Sequence, residues 1–258
     1  MYPLDDASLA HAIQLMASIK EEDFESVDTY HTYIPDKNRY LEDQAIPRMD
    51  YETIGTSMKN ASFDSTYLDL ESRLTLEHYY RTDHHWRQEA LPSVADHLLS
   101  EMEGTSLDAS YDEKTYRPFH GVYHGQLALP IEGQTLRWLQ NETLSESYRY
   151  DPVAEERAPI YEVDYLDDVD PYHLFLGGDR PITELHNPEA ETDRHLVIFG
   201  DSFTNSLAPL LLEAYSDITF IDLRHMNPSG VSDYVTDDVD TLLFMYSTHI
   251  LNDSWMLD

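Results

Sequence analysis

Hydrophobic positions recur along this chain in two rhythms, and each rhythm predicts a different element. In residues 7–20, Leu9, Ile13, Met16 and Ile19 fall close to helical spacing and predict an amphipathic helix. Residues 27–34, VDTYHTYI, are rich in β-branched and aromatic side chains and stop at Pro35-Asp36-Lys37, which reads as a strand entering a turn. Helical patterns follow at 49–59 and from about 88 to 103, the second closed by Gly104, a residue suited to a helix C-cap. Residues 116–141 read as strands and turns around Gly121, Gly125 and Gly133. Residues 145–170, with Pro152, Pro159 and the run EVDYLDDVD, read as an acidic, solvated loop or insertion.

The last third has the clearest pattern. An apolar run at 195–199 ends on Gly200-Asp201-Ser202, a helical segment follows at 207–215, a strand at 218–223, and a second apolar run at 241–246. Strands alternating with helices predict an α/β fold with a central parallel sheet, within one domain spanning residues 1–258. Such sheets bind ligands beyond the carboxyl ends of their strands. Ser202, Arg224 and Tyr246 all stand near predicted ends of that kind.

Composition narrows the possibilities. At 41% hydrophobic and 12% aromatic residues, the chain has ample material for a core. Its 50 Asp and Glu against 16 Lys and Arg leave a net charge of −34. That balance excludes nucleic acid and anionic lipid as partners, because affinity for phosphates rests largely on Lys and Arg. It also repels a polyanionic acceptor within a Debye length of about 8 Å at 0.15 M salt. With no cysteine there is no disulfide, no thiolate nucleophile and no Cys-based zinc site. The first residues, MYPLDD, carry neither a basic nor an apolar signal region, and no apolar run approaches the roughly 18 residues of a membrane span. A cytoplasmic and an external location are both compatible with these features.

Three segments carry candidate chemistry. In Gly200-Asp201-Ser202-Phe203, glycine permits a sharp turn after a buried strand, and the next helix directs backbone N–H groups at a developing oxyanion. A plain helix cap is the alternative role for the same residues. In Asp83-His84-His85-Trp86, an Asp two positions before a His on extended chain faces the same way, so Asp83 can orient His85 while His84 points elsewhere. A surface cluster, or a metal held by His78, Asp83, His84 and His85, competes with that reading, and no helical HExxH pair accompanies it. Asp222-Leu223-Arg224-His225 offers His225 as a rival base, with Arg224 either steadying a negative oxygen or pairing with one of the many carboxylates.

Taken together, these blocks resemble the DHHW-protein family, related to alginate O-acetyltransferase proteins and to SGNH hydrolases. The resemblance rests on Tyr79-Tyr80-Arg81-Thr82-Asp83-His84-His85-Trp86, Phe119-His120-Gly121, Phe175-Leu176-Gly177-Gly178-Asp179, Gly200-Asp201-Ser202-Phe203 and Ile221-Asp222-Leu223-Arg224, with Ile34-Pro35-Asp36-Lys37 also matching. It spans about residues 28–250. It implies a three-layer, flavodoxin-like SGNH fold whose Asp-x-His block precedes the serine, hence a triad of Ser202, His85 and Asp83, and it favours His85 over His225. No cofactor and no metal are implied. It further implies transfer of an acetyl group from a membrane partner protein to a cell-envelope or extracellular polysaccharide, and so an extracellular or cell-surface location. Gly178, followed by Asp179 where SGNH hydrolases carry Asn, is the nearest oxyanion candidate; Arg224 and Tyr246 are candidate substrate contacts. An esterase shares the same triad chemistry, and a glycan-binding scaffold without turnover is the reading from a different class.

Overall fold

The computed structural model of the chain describes residues 3–41, 48–127, 131–235 and 238–258. Helix α1 (Asp6–Asp23) starts where the Asp5 carboxylate accepts the N–H groups of Ala7 and Ser8. Strand β1 (Asp28–Ile34), helix α2 (Tyr51–Lys59) and the short strand β2 (Thr66–Tyr67) follow. Helix α3 (Pro92–Glu103) has proline in its first turn and ends on Gly104 at φ 64°, the left-handed cap the sequence predicts. A separate hairpin, β3 (Asp112–Phe119) and β4 (Gln134–Gln140), encloses α4 (Val122–Leu127), and Gly125 lies inside that helix rather than in a turn.

After α5 (Glu142–Glu146), the chain forms β5 (Tyr148–Asp151), β6 (Glu156–Pro159) and β7 (Ile182–His186). It closes with β8 (His195–Gly200), α6 (Thr204–Leu211), β9 (Asp217–Ile221), β10 (Thr241–Ser247) and α7 (Thr248–Leu251). The eight strands of the large sheet run in the order β2-β1-β10-β8-β9-β7-β5-β6 among the described residues. From β2 to β9 every pairing is parallel, while β7, β5 and β6 extend the sheet with antiparallel pairings.

Strand alternation divides the interior into two cores. On β8 and β10, Leu196, Ile198, Leu243 and Met245 face one side and pack with α3 and α6. Val197, Phe199, Leu242 and Phe244 face the other side, against Leu9, Met16 and Ile19 of α1 and Ile54 and Met58 of α2. Each central strand is apolar on both faces, so it reads as a continuous hydrophobic run, as a doubly covered parallel strand must. The result is a three-layer α/β structure. None of the helices in the described residues is long and apolar enough to cross a membrane.

One expectation is corrected. Residues 145–170 are not a loop alone, because β5 and β6 within them form the edge of the main sheet. Charge pairing holds these strands in the fold: Arg149 is fully buried and binds Glu162, and Arg180 binds Asp151. Two acids that a charge count assigns to solvent therefore hold buried or half-buried arginines. The helix expected at 207–215 begins earlier, at Thr204, because Asp201 accepts the N–H of Phe203 and its carbonyl accepts that of Thr204.

Candidate active site

The first half of the site is the turn from β8 into α6. At Gly200, a Cβ would stand 2.3 Å from Thr204 Oγ1 and 3.0 Å from the Met245 carbonyl, so glycine lets α6 begin this close to the sheet. Asp201 is buried and inward. Its Oδ1 accepts from Phe203 N at 3.1 Å and its Oδ2 from Ser247 N at 2.8 Å, tying the turn to the end of β10. Ser202 is left at the surface of a cleft, at the carboxyl end of the sheet.

The second half is a folded-back loop over residues 78–87. Tyr79 pairs with Trp86 in an antiparallel bridge, and Tyr80 N donates to the His85 carbonyl at 3.1 Å. Lys37 supports this loop from beneath. Its Nζ donates to the carbonyls of Tyr80, Arg81 and Asp83 at 2.9, 3.1 and 2.9 Å. Burial lowers the Lys37 ammonium to about 8, against the opposing pull of Asp83 and Asp36. Trp86 pins the loop to α6, its indole N–H lying 2.9 Å from both the Phe203 carbonyl and Ser206 Oγ.

These two halves bring Asp83, His85 and Ser202 into one hydrogen-bonded line. His85 Nδ1 lies 2.7 Å from Asp83 Oδ1, and His85 Nε2 lies 2.7 Å from Ser202 Oγ. Asp83 Oδ1 also accepts the His85 backbone N–H, and its Oδ2 accepts from Val122 N at 2.9 Å. Burial pushes the Asp83 carboxyl up, but the charge and hydrogen bonds of His85 prevail and hold it well below the ordinary carboxylate range. An ionised Asp83 only accepts, so Nδ1 carries the imidazole proton and Nε2 is left to accept from the serine. Gly121 makes the Val122 contact possible, since a Cβ there would lie 2.4 Å from Asp83 Cβ.

The cleft beside Ser202 has a volume of about 370 Å³. His84 and Phe203 line it together with His249, Ile250, Asp253 and Met256 of the C-terminal stretch. His84 does not point away as its position suggests. Its ring lies 3.8 Å from that of His85, and burial beside the other imidazole pushes it down to about 3. Arg224 lines the cleft, but its guanidinium is held by Asp222, with Nε 2.9 and 3.1 Å from the two carboxylate oxygens, and it lies 3.6 Å from Asp179.

Two proposed contacts, and the rival base, sit elsewhere. Tyr246 is buried on β10 within the α1 and α2 core and does not line the cleft. Gly178 is a turn glycine at φ +85°, packed where a Cβ would meet the His173 ring at 2.8 Å, and it does not line the cleft. The adjacent Asp179 accepts from Asn205 Nδ2 at 3.5 Å instead of donating. His225 is exposed, and the serine is engaged by His85 in its place. As for a metal, Asp83, His84 and His85 offer ligand atoms within 4.8 Å of one another, but both Asp83 oxygens are already taken by N–H donors.

Two contributors had no signal in the sequence. Tyr172 stacks on the His85 ring at 4.0 Å and 7°, and its hydroxyl donates to Ser206 Oγ, fixing the plane of the imidazole. The C-terminal wall of the cleft is the other, since residues 247–256 carry no motif and reach the site only because β10 ends beside β8.

The fold is a three-layer α/β arrangement, with a serine at the carboxyl end of a central strand and a His–Asp pair reaching it from an earlier loop. Among solved structures, a DHHW family protein from Eubacterium siraeum is similar over 97% of this chain and 88% of its own, at 20% identity and a TM-score of 0.81. PatB1 of Bacillus cereus is similar over 96% and 92%, at 17% identity and a TM-score of 0.73. The O-acetyltransferase domain of Pseudomonas putida AlgJ is similar over 97% and 89%, at 11% identity and a TM-score of 0.54. No protein-family model matches the chain, and no curated protein matches it by sequence. At these identities the likeness establishes the fold.

Proposed function

We propose that this chain is a serine-dependent O-acyltransferase that moves an acetyl group onto hydroxyls of a cell-envelope or extracellular polysaccharide. The observation that carries the reading is the continuous line from Asp83 through His85 to Ser202, with 2.7 Å at each junction. Ser202 Oγ attacks the acyl carbonyl of an ester donor while His85 Nε2 takes its proton, and the same imidazole protonates the departing alkoxide. The Ser202 backbone N–H, at the entry to α6, is the proposed donor to the tetrahedral oxyanion. A sugar hydroxyl then attacks the acyl-serine, gives its proton to His85, and releases Ser202. The O-acetyltransferase domain of AlgJ shares this fold, which favours transfer over simple hydrolysis. The acyl donor is proposed to come from a membrane partner, at the cell surface.

p-Nitrophenyl acetate hydrolysis tests the chemistry. Wild type and His225→Ala should turn over, while Ser202→Ala and His85→Ala should not, and a chelator should leave the rate unchanged. Activity that survives Ser202→Ala, or that a chelator abolishes, overturns the reading. PatB1 has been captured with a sulfonyl adduct. A sulfonyl fluoride should likewise inactivate this chain by adding to Ser202, as mass spectrometry would locate.

A further inference from the structure

The cleft beside Ser202 carries a charge pattern that bears on what can enter it. Arg224 is the one cationic residue lining it among the described residues, and Asp201 and Asp253 line it too. The Arg224 guanidinium is hydrogen-bonded to Asp222 and pairs with Asp179, and the charges of Asp222, Asp201 and Asp179 outweigh burial to hold it firmly protonated. Its charge is therefore already met by the two carboxylates it contacts, Asp222 and Asp179. The nearby Lys37 is no substitute, because its ammonium lies 4.4 Å from the Tyr123 ring centroid and donates to three backbone carbonyls. Among the described residues, an anionic ligand entering here would be desolvated beside carboxylates with no cation left to pair it.

The uncharged groups offer something different. Burial favours the neutral imidazoles of His84 and His249, and it raises the Tyr123 phenol to about 12, so it keeps its proton. These rings, with the Gln126 amide, supply donors and acceptors to hydroxyl groups, and Tyr123 and Phe203 present aromatic faces.

We propose that the acyl acceptor is an uncharged glycan, held by His84, His249, Tyr123 and Gln126 with one hydroxyl directed at the acyl-serine, and that uronate- or phosphate-bearing polymers are excluded. This rests on the acyl-transfer reading above. The step is balanced within that scheme: the sugar oxygen bonds to the acyl carbon, the Ser202 Oγ–acyl bond breaks, and the hydroxyl proton passes through His85 to Ser202 Oγ.

The experiment loads wild-type protein with p-nitrophenyl acetate at 0.15 M NaCl and offers xylo-oligosaccharide or oligogalacturonate as acceptor. It reads the p-nitrophenolate burst and the mass of the acetylated product. The expected result is a burst with both, and at least tenfold more acetylated xylo-oligosaccharide than acetylated oligogalacturonate. Asp253→Lys, at an exposed position on the lip, should move that ratio at least fivefold towards the uronate. Equal or preferential transfer to oligogalacturonate, or no transfer to either after a normal burst, overturns this proposal and leaves the acyl-serine chemistry standing. A ratio that Asp253→Lys does not move overturns the charge argument. Absence of the burst itself overturns the acyl-serine reading, and this proposal with it.

Discussion

Asp83→Asn separates the charge of the Asp83 carboxylate from its shape. Oδ1 accepts two N–H groups of His85, and Oδ2 accepts one, from Val122. An asparagine therefore settles with its oxygen towards His85 and its NH2 towards Val122, since the reverse sets the amide against two donors. The imidazole tautomer is preserved, and what is lost is the negative charge facing the imidazolium that would form in the proposed acyl transfer. At about 4 Å between charge centres and an effective dielectric of about 20, that attraction is worth about 4 kcal/mol. At roughly 1.4 kcal/mol per decade, kcat should fall about a thousandfold. The lost Val122 hydrogen bond adds about 1–3 kcal/mol of destabilisation. The sign of the pH effect follows from the lowered Asp83 pKa. Its stabilisation is fully present above the ordinary carboxyl value near about 3.9 and is lost as pH falls through the lower folded value. The variant should lack that part of the acid-unfolding limb. Steady-state p-nitrophenyl acetate kinetics, with near-UV circular dichroism to verify the fold, measure the effect. A loss of less than tenfold in a folded variant would refute the assignment of Asp83 as the residue that stabilises charged His85.

Three further outcomes follow from neighbouring contacts. Lys37→Met should lower kcat by at least tenfold with little change in KM, because it frees the three loop carbonyls that Nζ binds. With its folded pKa lowered to about 8, Lys37 binds fewer protons in the folded than in the unfolded protein between there and roughly 10.5. Its contribution to stability therefore rises with pH over that window while wild-type activity falls, and the pH profile of Lys37→Met should be flat there. Gly121→Ala should cost about 1–3 kcal/mol in urea denaturation and reduce kcat, because its Cβ would sit 2.6 Å from both Asp83 Oδ2 and the Thr82 carbonyl. Trp86→Phe removes the indole donor shared by Phe203 and Ser206, and calorimetry should register a fall in Tm of about 2–4 °C for each kcal/mol lost.

Local pattern was enough for several elements. The helix cap at Gly104, the run 195–199 and the run 241–246 each announce themselves because a doubly covered parallel strand is apolar throughout, and a left-handed cap favours glycine. The residues of the DHHW and GDSF blocks were also legible, since Asp83 and His85 fall two apart on extended chain and Gly200 marks a sharp turn. Contacts between distant segments were not. Lys37 meets the loop at residues 80–83 across more than forty positions, and His85 meets Ser202 across 117. No periodicity records such pairings. Tyr246 shows the same limit from the other side: its place at a strand end was visible, but which face of the sheet it occupies depended on register, and register buries it. The charge of −34 is set by composition, whereas the contacts of Arg224 with Asp222 and Asp179 depend on tertiary structure. Sequence determined which groups are available and which strands are buried. Tertiary structure alone decided which groups meet, because hydrogen bonds and ion pairs act over a few ångströms in space and not along the chain.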